Sequence, residues 1–291
     1  MTRTREDRLA ASAGVAAVAA AALLVALKTW ALLATGALSV AASLADSAID
    51  LVASSAGLIA ILYAARPADE DHAFGHSSAE DLAALGQSAL ITVAATLIGW
   101  QAAERLTGGA PPPLAAEGLG IAVMAASIAI TAALVLWQRR VARLTGSRVV
   151  AADMLHYLSD LLPTLGAIAA LAASAWFGIH WLDAVVGLVA ALVLLRGALG
   201  IARGAWDALM DRRASEDVIA RIGALADAQP GIRGWHDLKT RTAGRRLFVQ
   251  IHIELDGGQS LHEAHAVGAA LRRRILSEFP QAEVIVHKDP V

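Results

Sequence analysis

The sequence predicts an all-α membrane domain of six transmembrane helices, followed by a small cytoplasmic α+β domain. Of the 291 residues, 57% are hydrophobic and only 17% are charged, whereas soluble domains average roughly a quarter charged residues. The apolar residues gather in six stretches of about 20 or more, the length that crosses a bilayer as a helix. From about residue 210 the composition becomes that of a small soluble domain.

The six predicted spans lie near residues 13–35, 38–64, 82–106, 114–138, 150–178 and 182–206. We expect residues 1–12 to form a cytoplasmic tail, 13–209 the membrane domain and 210–291 the terminal domain. Six tryptophans near the span ends are typical of the aromatic belt at the bilayer interface: Trp30, Trp100, Trp137, Trp176, Trp181 and Trp206.

Arginines in the short connections indicate the orientation, because cytoplasmic loops carry an excess of basic residues. They precede span one and follow spans two and four, whereas the alternate connections have almost none. We therefore expect both termini in the cytoplasm. The arginines are Arg3, Arg5, Arg8, Arg66, Arg139, Arg140, Arg143 and Arg148.

The terminal domain has the periodicity α, β, β, α, β. Residues 216–228 and 261–278 repeat like amphipathic helices, and residues 284–287 resemble a closing strand. Residues 248–255 alternate like a strand with one buried face. This alternation turns Val249, Ile251, Ile253 and Leu255 inward, and Gln250, His252 and Glu254 to the opposite face.

Composition excludes several classes of protein. The absence of cysteine rules out a disulfide framework and thiolate metal sites, so any metal must be held by histidine and carboxylate. A net charge of −2 gives no electrostatic reason to expect nucleic-acid binding. An intramembrane hydrolase is disfavoured because HExxH, GxSxG and cysteine are all missing, and the segment HEAH at 262–265 is one residue short of the zinc-protease spacing.

Two of the predicted spans carry polar stripes. Positions 0, 3, 4, 7 and 11 share one helix face, and both spans place polar residues at that spacing. A carboxylate at mid-membrane costs about 2.5 to 3.5 kcal/mol, so these groups require a reason to be there. The stripes are Ser43, Asp46, Ser47, Asp50 and Ser54 in span two, and Asp153, His156, Tyr157, Asp160 and Thr164 in span five.

The predicted topology makes spans two and five antiparallel, which sets Asp46 opposite Asp160 and Asp50 opposite His156. Three carboxylates and one imidazole suit a tetrahedral divalent cation, with zinc the leading candidate. A proton relay or a helix-packing cluster is the alternative. Lys28 in span one could reach the lipid interface or pair with a carboxylate.

Two further clusters could bind metal outside the membrane. Asp69, His72 and His76 in the loop after span two converge if the chain turns before Gly75, although polar loop residues are often simply solvated. Five of the nine histidines lie in residues 236–291: His236, His252, His262, His265 and His287. Strand alternation places His287 and Asp289 on one face and turns Lys288 away. His262 is the weakest member of this set, and His180 looks interfacial.

Eight segments together resemble the cation diffusion facilitator family, and within it the bacterial ferrous-iron and zinc efflux pumps. They occur in the family's order over nearly the whole chain: SLADSAIDLVAS, PADEDHAFGH, AEDLAALGQSA, AADMLHYLSD, HDLKTR, FVQIHIELD, EAH and VIVHKDP.

The resemblance implies a homodimer in the bacterial inner membrane, with a metallochaperone-like terminal domain, that exchanges zinc or a similar cation for protons. It assigns Asp46, Asp50, His156 and Asp160 to the transport site, and Asp69, His72 and His76 to a loop site. It also assigns a binuclear, regulatory zinc site at the dimer interface to His236, His252, His265, His287 and Asp289. A quartet of one histidine and three aspartates is associated in the family with zinc and cadmium.

The chain departs from the family pattern at two positions. Relatives have a basic residue where this chain has Ser78, which removes one partner of a charge interlock with an acid such as Asp211. Relatives often have glutamine where this chain has Lys288, which cannot ligate a metal while it is charged. The sequence thus predicts a proton-coupled metal exporter, not an enzyme. The alternative is a membrane-anchored metal sensor or storage protein.

Overall fold

The computed structural model describes residues 5–35, 38–106, 118–177 and 182–291. The chain forms two compact units, Met1–Ala205 and Trp206–Val291. The second unit thus begins in the last turn of the sixth helix, a few residues before the predicted boundary at 210.

The first unit is helical, as predicted. The helices are α1 (Arg5–Thr35), α2 (Leu38–Ala64), α3 (Ser78–Leu106), α4 (Gly118–Thr145), α5 (Arg148–Phe177) and α6 (Leu182–Leu209). Helix α1 begins at Arg5 rather than near residue 13, so most of the predicted tail is helical. Its first turn contains Glu6 and Asp7, and carboxylates stabilise the positive end of a helix dipole.

Apolar side chains cover much of the outer surface of this unit. Leu33, Val52 and Trp100 are 83%, 70% and 68% exposed, which suits contact with lipid. Four helical segments in the described part of the chain are long and apolar enough to cross a membrane: Arg5–Ala34, Asp46–Ala64, Ser78–Glu104 and Val185–Leu209. The start of α4 and the second half of α5 lie among residues whose side chains are not described, as do Trp176, Trp181 and His180.

Close packing and one ion pair hold α5 against its neighbours. A Cβ atom at Gly197 of α6 would lie 2.8 Å from Leu155 Cδ2, so only glycine permits this approach between α5 and α6. At the start of α5, Arg148 Nη1 lies 2.5 Å from Asp81 Oδ1 of α3. The Asp81 side chain is 1% exposed, and removing one partner of such a pair would leave an uncompensated charge.

The second unit contains α7 (Glu216–Asp227), β1 (Gly234–Ala243), β2 (Arg246–Leu255), α8 (Leu261–Glu278) and β3 (Ala282–Pro290). This order matches the predicted αββαβ pattern. The sheet order is β1-β2-β3, with β1 antiparallel and β3 parallel to β2. Val249, Ile251, Ile253 and Leu255 are all buried, with Ile222, Leu271 and Ile275 in the same core.

The sheet register aligns three histidines. His236 of β1 pairs with His252 of β2, and His252 pairs with His287 of β3. Each of the three strands therefore contributes one imidazole to a row across the sheet. An irregularity in β1 follows His236, and there Asp237 has a φ of 49°.

Candidate metal centres

The membrane unit brings Asp50, His156 and Asp160 together. One ligand atom from each lies within 4.8 Å of the others, and His156 Nε2 is 3.0 Å from Asp50 Oδ1. Bonds of about 2.0 to 2.1 Å place neighbouring ligands of a tetrahedral zinc ion about 3.3 Å apart. A small inward movement of these side chains would therefore give three ligands of suitable geometry.

The contact between the two predicted stripes continues one turn further along α2. Ser54 Oγ donates to Asp153 Oδ1 at 3.0 Å and lies 2.9 Å from the Tyr157 hydroxyl oxygen. Gln138 Nε2 of α4 donates to Asp153 Oδ2 at 2.5 Å. The network fixes α2 and α4 against α5 beside the three-residue group. The side chain of Thr164 lies outside the described residues.

Asp46 is exposed and lies outside the three-residue group, although the sequence predicts it as a fourth ligand. It lines a cavity of about 330 Å³ that is also lined by Asp50 and Asp160. Lys28 of α1 lines the same cavity. The described lining of this cavity therefore combines three carboxylates with one ammonium group.

The loop between α2 and α3 brings Asp69, His72 and His76 together, with ligand atoms within 4.8 Å of one another. Asp69 Oδ1 is 3.2 Å from His72 Nδ1, and Asp69 Oδ2 is 3.2 Å from His76 Nε2. Gly75 has a φ of 83°, which allows the turn because glycine has no Cβ.

Local hydrogen bonds hold this loop in place. The backbone N–H of His72 donates to Asp69 Oδ1 at 2.7 Å, and this bond is the main reason that the pKa of Asp69 lies below its usual value. The Tyr63 ring meets the His76 ring edge to face at 4.6 Å. Tyr63 thus lines one side of the loop site, and the sequence analysis did not predict this residue.

The terminal unit groups His236, His252 and Asp289, again with ligand atoms within 4.8 Å of one another. Asp289 Oδ2 is 3.0 Å from His252 Nδ1 and 3.4 Å from His236 Nε2, and Asp289 Oδ1 is 3.1 Å from His287 Nε2. One carboxylate thus touches all three imidazoles and could bridge two metal ions.

The structure does not bring His265 into this group. His265 and His262 are exposed on α8. Lys288 lies on the α8 side of the sheet, since a Cβ atom at Gly268 would be 2.7 Å from Lys288 Cε. Asp211 accepts a hydrogen bond from Arg241 Nη1 at 3.1 Å.

Two acids at the terminal group were missed by the sequence prediction. Glu254 Oε1 is 3.1 Å from His236 Nδ1, and the two-residue alternation with His252 could have indicated it. Asp237 Oδ2 is 4.0 Å from His252 Nε2, a position that depends on the irregularity in β1. A hydrogen bond from Lys239 holds the pKa of Asp237 below its usual value.

Comparison with family models identifies the class of protein. Residues 14–210 match the cation efflux transmembrane domain, and residues 214–291 match the cytoplasmic domain of cation efflux proteins. The chain belongs to the cation efflux, or cation diffusion facilitator, family. It is therefore an integral membrane transporter and not an enzyme, which confirms the predicted family and fold class.

Individual relatives match over nearly their full length. The cation-efflux pump FieF of Shewanella oneidensis is 42% identical over 292 residues, covering 100% of this chain and 98% of the relative. FieF of Klebsiella pneumoniae is 40% identical over 283 residues, covering 97% of this chain and 93% of the relative. Among solved structures, MamM-CTD 215-293 matches 26% of this chain and 98% of its own at 25% identity, with a TM-score of 0.25.

Proposed function

We propose that the protein exports divalent metal cations, zinc in particular, in exchange for protons across the bacterial inner membrane. The observation that carries this proposal is the group formed by Asp50, His156 and Asp160 at the contact between α2 and α5. Asp46, which lines the adjoining cavity, would complete a tetrahedral site.

Competition for the same atoms would couple the two fluxes. Metal ligands must be deprotonated, so binding releases protons and protonation releases metal. An ion would enter from the cytoplasm, the bundle would change its opening, and external protons would displace the ion. Both termini would then lie in the cytoplasm, as the arginine distribution indicates.

The other two groups would serve as cytoplasmic metal sites. Asp69, His72 and His76 would bind one ion in the loop. His236, His252, His287 and Asp289 would bind zinc in the terminal domain of a homodimer, and His265 would have to join them through a rearrangement or from the partner. Metal there would favour turnover by binding one conformation more tightly than the other.

The transport proposal is tested by Asp50→Ala in proteoliposomes with a pH gradient. We expect loss of zinc-dependent proton flux, because the variant removes the carboxylate beside His156. Asp256→Ala is the matched control, since this exposed carboxylate belongs to none of the three groups. Undiminished zinc uptake by Asp50→Ala would overturn the site assignment.

The choice of metal is tested by His156→Asp. Imidazole suits zinc, whereas an all-oxygen site suits harder cations such as manganese. A panel of zinc, cadmium, iron, cobalt and manganese should therefore show a shift toward manganese. An unchanged order of preference among these metals would show that His156 does not determine which metal is transported.

The regulatory proposal is tested by replacing His252 and His287 with alanine. The variant should lose zinc-dependent closure of the dimer while keeping part of its transport. Complete loss of transport at saturating zinc, in a folded protein, would show that this group is not merely regulatory.

A further inference from the structure

Lys28, a basic residue, lines the acidic cavity of the membrane unit. Lys28 Nζ donates to the Ser43 carbonyl oxygen at 3.1 Å and to Ser47 Oγ at 2.7 Å. Both acceptors belong to α2, so the lysine crosses from α1 toward the metal-binding helix instead of extending to the lipid interface. Among the described residues that line this cavity, Lys28 is the only basic one.

The charges in the cavity nearly cancel when a divalent ion is bound. Three carboxylates line it, from Asp46, Asp50 and Asp160, and a neutral His156 adds no charge. A divalent ion alone would leave the site with one negative charge. The ammonium group of Lys28 brings the loaded cavity to neutrality, and a neutral site has the smallest desolvation cost inside a membrane.

We propose that Lys28 is a fixed counter-cation of the transport site, which limits how tightly the site holds a divalent ion. This inference rests on the proposed transport site. Repulsion from this fixed charge acts twice as strongly on a divalent ion as on one proton at the same place, so it favours release of the metal wherever fewer than two protons replace each ion. At a pH where the ligands stay unprotonated, Lys28 therefore lowers the affinity of the site for the ion.

The hydrogen bonds from Lys28 to α2 fix the position of this charge. Ser43 and Ser47 are one turn apart on the face that also presents Asp46 and Asp50. A lysine that only joined α1 to α2 would be needed for its hydrogen bonds, whereas a counter-cation is needed for its charge. Substitutions can separate these two roles.

The test measures zinc affinity in the full-length protein after His72, His76, His236 and His287 are replaced by alanine, so that the membrane site dominates the titration. Lys28→Gln should bind zinc at least about tenfold more tightly, a change of about 1.4 kcal/mol, and should transport it more slowly. Lys28→Arg keeps the charge and Ser47→Ala keeps the lysine, so both should stay within about threefold of the parent.

Tighter binding is a result that structural damage would not produce. Unchanged or weaker zinc binding by folded Lys28→Gln would overturn the proposal, and Lys28→Met provides a second neutral variant if the glutamine variant does not fold. Asp50→Ala in the same background separates the two possible failures. If it leaves zinc binding intact, the transport site itself is wrong; if it abolishes binding while Lys28→Gln changes nothing, only the role of Lys28 is wrong.

Discussion

The buried network around Asp153 should matter more for the stability of the membrane unit than any one exposed ion pair. Asp153 is 5% exposed and accepts hydrogen bonds from Ser54 and Gln138. Asp153→Ala would leave both donors buried without this acceptor. Asp153→Asn keeps the size and one oxygen, and its amide could donate to Gln138 Oε1, a buried atom without a hydrogen bond to any described residue.

The size of the effect follows from the two lost contacts. The orphaned Gln138 donor costs about 1 to 3 kcal/mol, whereas Ser54 keeps the Tyr157 hydroxyl as a partner at 2.9 Å, and removal of the buried carboxylate recovers part of the cost. A net loss of about 2 kcal/mol is therefore expected for Asp153→Ala, equivalent to about 4 to 8 °C in apparent Tm. Asp153→Asn should remain within about 0.5 kcal/mol of the parent.

Thermal unfolding of the full-length protein in detergent, followed by intrinsic fluorescence, measures this difference. Ser54→Ala and Ser55→Ala form a matched pair on one helix. Ser54 Oγ reaches Asp153 and Tyr157 of α5, whereas the hydrogen bond of Ser55 Oγ within the described residues goes to the Leu51 carbonyl of its own helix. Equal loss in the two serine variants, or equal loss for alanine and asparagine at position 153, would refute the reasoning.

Two further predictions concern the parts outside the membrane. A Cβ atom at Gly223 would lie 2.9 Å from Trp235 Cζ2. Gly223→Ala should therefore lower the free energy of unfolding by about 1 kcal/mol, because overpacking costs about 1 to 3 kcal/mol and the gain in helix propensity is about 1 kcal/mol. Urea unfolding measures it, with Gly200→Ala of α6 as a control, because no described atom lies within 4 Å of a Cβ atom placed there; an equally stable Gly223→Ala would contradict the packing argument. The lowered pKa of Asp69 means that its contribution to loop stability is present above its unfolded pKa of about 3.9 and is lost only as the pH falls through the lower folded value. The carboxyl ¹³C shift of Asp69 should therefore titrate below pH 3.9, and a midpoint at or above this value would count against the His72 hydrogen bonds.

Periodicity predicted the elements well because local patterns fix them. The α8 bounds, Leu261–Glu278, coincide with the predicted 261–278, since a capping box between Ser260 and Glu263 starts this helix. Helix α1 begins at Arg5, before the predicted span at 13–35, because hydropathy marks where a helix enters lipid and not where its backbone hydrogen bonds begin. The pairing of Asp50 with His156 was also predictable, since two stripes of equal spacing on antiparallel helices must meet.

By itself, the sequence determined the membrane domain, the αββαβ terminal domain and the residue types available to bind metal, because composition and helical or strand periods are local properties. Only the tertiary structure decided how the other candidate residues lie relative to the Asp50–His156 pair and to the terminal group. It placed Asp46 beside the three-residue group and left His265 exposed on α8. It also directed the Lys28 side chain toward the acidic cavity. It also brought Asp237 toward His252 through an irregular strand. These outcomes depend on how helices rotate and strands align against one another, and that geometry follows from packing over the whole chain.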